Sequence, residues 1–145
     1  MAAKTSPRGK KFFTVAQANA ALPLVRAIVR DITALYHNLR ERQERMERAK
    51  PEHGTISEMH QEEWRHFQEE YERDEERLRD YERELQQLGV YLKDYMVGLI
   101  DFPCWMDGHE VYLCWRQGEP DVAHWHEVDA GFAGRQKLMT ETAKN

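Results

Sequence analysis

The densest group of metal-ligand residue types lies in one short stretch near the end of the chain, residues 122–129. It reads Val-Ala-His-Trp-His-Glu-Val-Asp, so a single residue separates His124 from His126. On a β-strand alternate side chains point to the same face, which places the two imidazoles together and Glu127 on the opposite face. Imidazole nitrogens bind zinc, copper and iron, so this stretch predicts a metal site.

A cysteine on the preceding strand is the first candidate to complete the site. If Arg116 pairs with Val122 across the intervening turn, Cys114 lies opposite His124 in an antiparallel ladder. Cys114, His124 and His126 would then share one face within reach of one ion, and two imidazoles with a thiolate suit zinc or copper. A register that differs by one residue would move Cys114 to the other face.

Side chains on the other strands offer a second ligand set. One or both histidines would combine with a neighbour, and the candidates are Asp101, His109 and Glu110. Two histidines and one carboxylate suit iron or zinc. The sequence leaves both sets open, and it also leaves open that the histidines only hydrogen-bond within a polar sheet face. A heme with His126 or His124 as axial ligand ranks below these, because the chain lacks a heme attachment motif.

A glycine-containing loop after this stretch carries a candidate anion site. Residues 131–135 read Gly-Phe-Ala-Gly-Arg, and such a loop can present backbone N–H groups together with the Arg135 guanidinium. Arg116, at the end of the preceding strand, is the second candidate for anion binding. The loop lacks the Gly-Lys-Ser/Thr ending of a P-loop, so it does not predict a nucleotide site.

Two long amphipathic helices must support these strands. A capping box at residues 14–17 starts the first helix, and Pro23 predicts a kink or a restart within it. Pro51 and Gly54 break the helical pattern before a second capping box at residues 55–58. The seam residues step alternately by four and three, which is typical of helices that pair lengthwise. In the first helix they are Ala18, Leu22, Val25, Val29, Ile32, Tyr36, Leu39, Gln43 and Met46, and in the second His60, Trp64, Phe67, Tyr71, Asp74, Leu78, Tyr81, Leu85 and Leu88.

One acidic residue, Asp74, occupies the second seam. A carboxylate that is removed from water needs a charged or hydrogen-bonding partner. With the loop between the helices near residues 50–54, Asp74 lies level with the first helix near Arg30. We therefore expect Arg30 or the Tyr36 hydroxyl to pair with it and to fix the register of the two helices.

Gly89 lies where a C-terminal cap of the second helix is expected, and from there onward the helical period gives way to alternation and turn residues. Pro103 is expected to end the second strand, since proline cannot donate a ladder hydrogen bond. The predicted strands cover residues 90–94, 98–102, 110–116 and 122–128.

The fold class predicted from these elements is α+β, a long antiparallel helical hairpin followed by a small antiparallel β-meander of three or four strands. Residues 1–12 are expected to form a flexible basic arm and residues 13–88 the hairpin. Residues 89–138 would form the meander and glycine-containing loop, packed on the hairpin. Residues 139–145 would be a loose tail, and the whole chain would be one domain.

Composition excludes several classes of function. The chain has 145 residues and a formal net charge of -5, which argues against a general nucleic-acid-binding surface. No apolar run is long enough for a membrane span, and no secretion signal is evident. Two cysteines are too few for a disulfide framework, so a cytoplasmic location is predicted. The local exception in charge is the basic arm, with Lys4, Arg8, Lys10 and Lys11.

Three stretches of the sequence resemble one known family. They are Phe13-Thr-Val-x-x-Ala-Asn-x-x-Leu-Pro-Leu-Val25, Gly98-Leu-x-Asp-Phe-Pro103, and Val111-Tyr-Leu-Cys-Trp-Arg-x-Gly-Glu-Pro120, which runs into Trp125-His-Glu-x-Asp-Ala-Gly-Phe-Ala-Gly-Arg-Gln136. Together they are similar to the uncharacterised bacterial family catalogued as domain of unknown function 2203, over most of residues 12–138.

The resemblance implies no established activity, but it implies a common residue pattern. His124, His109 and Cys104 are less typical of the family. The resemblance therefore favours a site built on His126 with Asp101, Glu127 or Cys114. The residues that match the common pattern are Asp101, Cys114, Arg116, Glu119, His126, Glu127, Asp129 and Arg135.

Two hypotheses of different class follow. The first is a small metal-binding protein with zinc, iron or copper on the β unit, at a site drawn from His126, His124, Cys114, Glu127 and Asp101. The second is a non-catalytic interaction module whose hairpin forms a homodimer or binds a protein partner. It rests on the paired seams, because a chain with 32% charged residues and narrow seams buries only a thin core.

Overall fold

A computed structural model of the chain describes residues 10–49 and 58–139. Two helices form an antiparallel hairpin, and a five-stranded antiparallel sheet follows with its strands in chain order, which confirms the predicted α+β class. No helix within these described ranges is long and apolar enough to span a membrane. The elements are α1 (Val15–Ala49), α2 (Glu58–Gln87), β1 (Tyr91–Asp94), β2 (Leu99–Met106), β3 (His109–Arg116), β4 (His124–Glu127) and β5 (Gln136–Lys137), with a 3-10 turn (Phe132–Gly134) before β5.

The first helix begins at the predicted capping box. The Thr14 N–H donates to Gln17 Oε1 (2.9 Å), and the Gln17 N–H donates to Thr14 Oγ1 (3.0 Å). These two bonds satisfy two of the donors that a helix N-terminus leaves free. The helix then runs through Pro23 without a restart. Thr55, the first residue of the second capping box, lies outside the described residues.

The core forms between the seam of α1 and the inner face of the sheet. The N-terminal part of the seam is buried, from Ala18 to Ile32, and none of its apolar side chains is more than 7% exposed. Alternation along β2 and β3 supplies the other side of this core. The inner-face residues are Ile100, Phe102, Cys104, Val111, Leu113 and Trp115.

The second helix is covered much less. Among its described side chains only Leu85 is buried, and Trp64, Phe67 and Tyr71 are half-buried. The helix ends at Gln87, and Gly89 follows in the predicted capping position with a φ of 86°, a left-handed conformation that glycine adopts without strain. At one end the hairpin therefore packs on the sheet, and at the other end the two helices pack only on each other.

The sheet differs from the prediction in two places. Pro103 does not end β2, which continues to Met106. Strand β1 pairs with β2 only as far as Asp101, so Pro103 lies beyond this pairing and its missing N–H breaks no hydrogen bond to β1. The sheet has five strands instead of three or four. The additional strand, Gln136–Lys137, is two residues long and is defined only by its pairing with β4, so it has no period to detect.

The residues just before α1 contact the sheet. The Phe13 N–H donates to the Pro103 carbonyl (2.7 Å), where β1 no longer covers β2. The Phe12 ring is buried and meets the Trp105 ring edge-on, and Lys10 forms an ion pair with Glu110. The end of the predicted flexible arm, residues 10–12, thus lies against the sheet, and the rest of that arm lies outside the described ranges.

The expected partners of Asp74 were wrong. Its carboxylate accepts hydrogen bonds from Arg42 and from Arg77 (3.0 Å), not from Arg30 or Tyr36. The helix pairing places Asp74 level with Arg42, three turns along α1 from Arg30. Hydrogen bonds from Arg42, together with Arg77, hold the pKa of Asp74 below its usual value despite partial burial.

Candidate metal centre

The register of β2, β3 and β4 assembles the candidate site on the outer face of the sheet, away from the helices. Cys114 is the Cα partner of Asp101 on one side and of His124 on the other, and Tyr112 is the partner of His126. The predicted pairing of β3 with β4 is therefore confirmed. Directly opposed residues share a face, so a carboxylate, a thiol and two imidazoles lie on the outer face.

Three of these side chains converge. The His126 Nε2 atom lies 3.0 Å from Asp101 Oδ1, and one ligand atom each from Asp101, Cys114 and His126 lies within 4.8 Å of the others. All three residues are buried, with exposed fractions of 2%, 0% and 3%. Burial of polar groups away from water carries a cost, so a compensating interaction is expected at this place.

A backbone carbonyl fixes the protonation pattern of His126. Its Nδ1 atom lies 2.7 Å from the Glu127 carbonyl oxygen. Because a carbonyl can only accept, Nδ1 carries a hydrogen and donates it. The other ring nitrogen, Nε2, faces Asp101 and is the one that could bind a metal ion. Metal-binding histidines are usually held in this way, with the second nitrogen bound to a carbonyl or carboxylate.

Burial acts on the two acidic groups of the cluster in the same direction. Burial raises the pKa of Asp101, although the hydrogen bond and charge of His126 oppose the shift. Burial, together with the charge of Asp101, raises the pKa of the Cys114 thiol to about 12. With no metal bound, the cluster therefore holds a neutral thiol at pH 7.

This pattern excludes Cys114 as an activated nucleophile. A catalytic cysteine needs a depressed pKa and an imidazole beside the thiol. Here the His126 Nε2 atom lies 3.0 Å from Asp101 Oδ1, so the imidazole faces the carboxyl group, and the pKa of the Cys114 thiol is raised, not depressed. The arrangement suits three groups that point at one ion better than it suits a relay of protons.

The other two predicted metal ligands lie elsewhere. His124 shares the outer face, but its Nδ1 atom is 3.7 Å from Glu119 Oε2 and has no hydrogen-bond partner among the described residues. Glu127 is on the side that faces Val111, and its carboxylate contacts His109 Nε2 (3.1 Å) near the surface. The structure thus brings together His126, Cys114 and Asp101. This group takes the cysteine from the first predicted ligand set and the carboxylate from the second.

Glu119 is a residue near the site that no sequence motif indicates. The Arg135 Nη2 group donates to both of its oxygens (3.0 and 2.9 Å), and the Arg116 N–H donates to Oε1 (2.7 Å). Of the two predicted anion ligands, Arg135 is therefore engaged with a carboxylate of the same chain, and the Arg116 side chain is exposed. The only signal for Glu119 in the sequence is its place in the family pattern.

One comparison with known proteins identifies a family for this chain. A family model described as an uncharacterized conserved protein, DUF2203, matches residues 11–138. The search of curated proteins gave no match, and neither did the search of solved structures. The match covers all three stretches that carry the resemblance and every residue of the cluster. The chain therefore belongs to the DUF2203 family.

Proposed function

We propose that this chain is a zinc-binding protein whose centre consists of Asp101, Cys114 and His126. The observation that carries the proposal is the convergence of a carboxylate, a thiol and an imidazole in a buried place, with the imidazole oriented by a backbone carbonyl. Each of these groups is a usual zinc ligand, and the orientation of His126 is the one that zinc ligands show.

The spacing of the three ligand atoms fits a tetrahedral ion. Bonds of about 2.0–2.3 Å to oxygen, nitrogen and sulfur place neighbouring ligand atoms about 3.4–3.7 Å apart around zinc. The three atoms lie within 4.8 Å of one another, so inward shifts of up to about an ångström would bring the more distant atoms to this spacing, while His126 Nε2 and Asp101 Oδ1, at 3.0 Å, would move slightly apart. Side-chain rotations can supply shifts of this size without a change in the register of the strands.

The chemistry of the donor set favours zinc over the other ions considered. A thiolate disfavours magnesium and calcium, and a single thiolate with oxygen and nitrogen ligands is common for zinc. One carboxylate and one thiolate balance the charge of a divalent ion in a buried place. A heme is disfavoured, because His126 is only 3% exposed and its Nε2 atom faces the Asp101 side chain, whereas an axial ligand must face a large planar macrocycle. A ligand thiol must also stay reduced, which fits the predicted cytoplasmic location.

Three protein ligands leave a fourth position on the ion. Catalytic zinc sites have this composition, with water or substrate in the fourth position, whereas structural sites use four protein ligands. The proposal therefore extends to a zinc ion that is open to a small ligand. His124 is the nearest further imidazole on the same face, but it lies beside Glu119.

Metal content tests the proposal directly. The untagged chain is purified without chelator, and zinc is measured by elemental analysis alongside protein concentration. We expect about one zinc per chain, and a lower unfolding temperature after treatment with chelator. A metal-free protein whose unfolding temperature responds neither to added zinc nor to chelator would refute the proposal.

A second candidate function, self-association of the hairpin, is favoured by its charge and exposure. Helix α1 carries six arginines against four acidic residues, and α2 carries five arginines against twelve acidic residues. A second copy that packs antiparallel would place the basic helix of each chain against the acidic helix of the other. The half-buried seam of α2 would supply apolar contact, including a groove of about 560 Å³ lined by Arg45, Met46, Ala49, His60, Glu63, Trp64 and Phe67.

Sedimentation velocity over a range of concentrations tests this second proposal. We expect a dimer that dissociates when Trp64 in the groove is changed to Glu, and that weakens as salt screens the helix charges. Trp105→Glu is the control, because Trp105 is a half-exposed tryptophan on the sheet, away from the hairpin. A monomer at all concentrations, or equal effects of the two variants, would contradict self-association through the groove.

A further inference from the structure

Two lysines and two tyrosines surround one spot on the outer face of the sheet. We call the group formed by Lys10, Lys93, Tyr91 and Tyr112 the lysine–tyrosine cradle. The two rings meet edge-to-face with their centroids 6.0 Å apart. Tyr91 is the Cα partner of Asp101 and Tyr112 that of His126, and the Tyr112 ring lies 5.6 Å from the His126 ring. The cradle therefore adjoins the candidate metal centre.

Both ammonium groups of the cradle contact the same pair of rings. The Lys10 Nζ atom lies 5.6 Å from the Tyr91 centroid and 5.7 Å from the Tyr112 centroid, and the Lys93 Nζ atom lies 5.7 and 5.5 Å from them. These distances place the two nitrogens at most about 11 Å apart, which is close to the Debye length of about 10 Å at 0.1 M salt. Two like charges at this separation repel, and an anion between or beside them would relieve the repulsion.

The local charges do not balance. Lys10 is paired with Glu110. Lys93 has no ion pair with any of the described residues, and its side chain is exposed. The charge of Lys93 acts on Asp101, but that carboxyl group is buried. In our proposal its negative charge is balanced by the bound metal ion and not by Lys93. One positive charge therefore remains at the mouth of the cradle.

The tyrosines add hydrogen-bond donors to this charge. Among the described part of the chain, neither the Tyr91 nor the Tyr112 hydroxyl has a hydrogen-bond partner, and both side chains are half-buried. A phenol O–H is a good donor to an oxyanion. The two ammonium groups and the hydroxyls of the two adjoining rings provide more donors than a single carboxylate can accept from, and they suit the three oxygens and the higher charge of a phosphate group.

We propose that the lysine–tyrosine cradle binds the phosphate group of a small phosphorylated molecule, whose other end lies toward the open position of the zinc centre. The second clause rests on the proposed function, whereas the binding of phosphate does not need the metal. The cradle would thus select the ligand, and the adjoining centre would act on the part of the molecule that the cradle leaves free.

Titration with inorganic phosphate tests the cradle, by calorimetry on the full chain with and without chelator. We expect binding to both forms, with a Kd on the order of 1 mM for phosphate alone. Lys93→Met should weaken binding about tenfold or more, and Tyr112→Phe should weaken it by a smaller factor while the ring contacts stay. Lys11→Met is the matched control and should bind normally, because the Lys11 ammonium lies over the Phe13 ring outside the cradle.

The remaining outcomes distinguish failure of the cradle proposal from failure of the metal proposal. Absence of phosphate binding to both forms, or unchanged binding by Lys93→Met, would overturn the cradle whatever the zinc content. Acetate that binds as tightly as phosphate would overturn the assignment to phosphate. If phosphate binds but the chain holds no zinc, the cradle stands and the metal proposal fails. Lys93 is exposed, so its variant should fold, and a thermal unfolding curve checks this.

Discussion

The sharpest test of the metal centre is to remove its thiol and compare it with the thiol on the other face of the same sheet. Cys114→Ala deletes a ligand of the proposed ion and leaves the carboxylate and the imidazole. Cys104→Ala is a matched control. Cys104 is 4% exposed and lies on the inner face, where burial raises the pKa of its thiol to about 11. Both variants lose one buried sulfur, so their effects on folding should be similar.

The strength of zinc binding follows from the cost of ionising the thiol. Burial raises the pKa of Cys114 from 9.0 to about 12. Three pKa units correspond to about 4 kcal/mol of additional cost for the thiolate at neutral pH. Structural zinc sites bind with about 10–16 kcal/mol. The difference of about 6–12 kcal/mol corresponds to a Kd between about 10⁻⁴ and 10⁻⁹ M, so binding remains favourable.

The same cost sets the pH dependence. Between pH 6 and 8 the free thiol is protonated, and binding must release that proton. Zinc affinity should therefore rise at least about tenfold for each pH unit. Competition with a coloured chelator measures the affinity at pH 6, 7 and 8, and an indicator dye in weak buffer measures the released proton. At pH 7, Cys114→Ala should bind zinc at least about 100-fold more weakly than the unmodified chain. Its zinc affinity should also rise less steeply with pH, because it has no thiol proton to release.

Three results would refute this reasoning. Equal zinc affinity for Cys114→Ala and the unmodified chain would show that the thiol is not a ligand. Equal losses in Cys114→Ala and Cys104→Ala would show that the effect is one of folding. An affinity that does not change with pH would show that no buried thiol is ionised on binding.

Further predictions concern the scaffold. Gly98→Ala should destabilise the fold by about 1–3 kcal/mol in urea unfolding, because its φ is 70° and an added Cβ would lie 2.8 Å from side-chain atoms of α1 and of the turn after β3. Gly118→Ala should cost less, since its φ is also positive but its Cβ would meet open space. Asp74→Asn should cost about 1–3 kcal/mol at pH 7 by leaving Arg42 without its carboxylate. Because the pKa of Asp74 is lowered, its contribution is present above pH 4 and is lost as the pH falls through the folded-state pKa; equal unfolding of the two proteins at pH 7 would contradict this. The hydrogen bond with Glu127 raises the pKa of His109, so its small contribution is present below about pH 6.5 and is lost as the pH rises through the raised pKa. His109→Gln should remove that part of the pH dependence of the unfolding midpoint.

The elements that the sequence predicts well are those whose signal is local. The capping box at Thr14 and the glycine cap at Gly89 each involve residues a few positions apart, and both are confirmed. The pairing of β3 with β4 is between strands that follow each other in the chain, joined by residues 117–123, so it is also predictable as a pair. Its register stays open at the level of sequence, and the structure shows the alternative in which Cys114 lies opposite His124.

The composition of the cluster depends on information that is not local. Cys114 lies between two neighbours on the sheet, and the sequence cannot say which side its sulfur approaches. The structure brings it to Asp101 on β2, while His124 lies beside Glu119 from the turn after β3. The sequence misses the partner of Asp74 for a similar reason, since the pairing of two long helices depends on packing summed over their whole length.

The position of the cluster within the sheet suggests that these three polar residues serve a function and are not there to stabilise the fold. The inner face is apolar and is covered by α1, and burial alone raises the pKa of Cys104, the cysteine on that face. On the outer face three polar groups are buried, although the two described helices contribute their core residues to the inner face. A buried polar pair such as Asp101 and His126 seldom stabilises a fold more than apolar side chains of similar size would. A bound divalent ion would supply the compensation that the protein groups lack, because it would allow both acidic side chains to ionise in place.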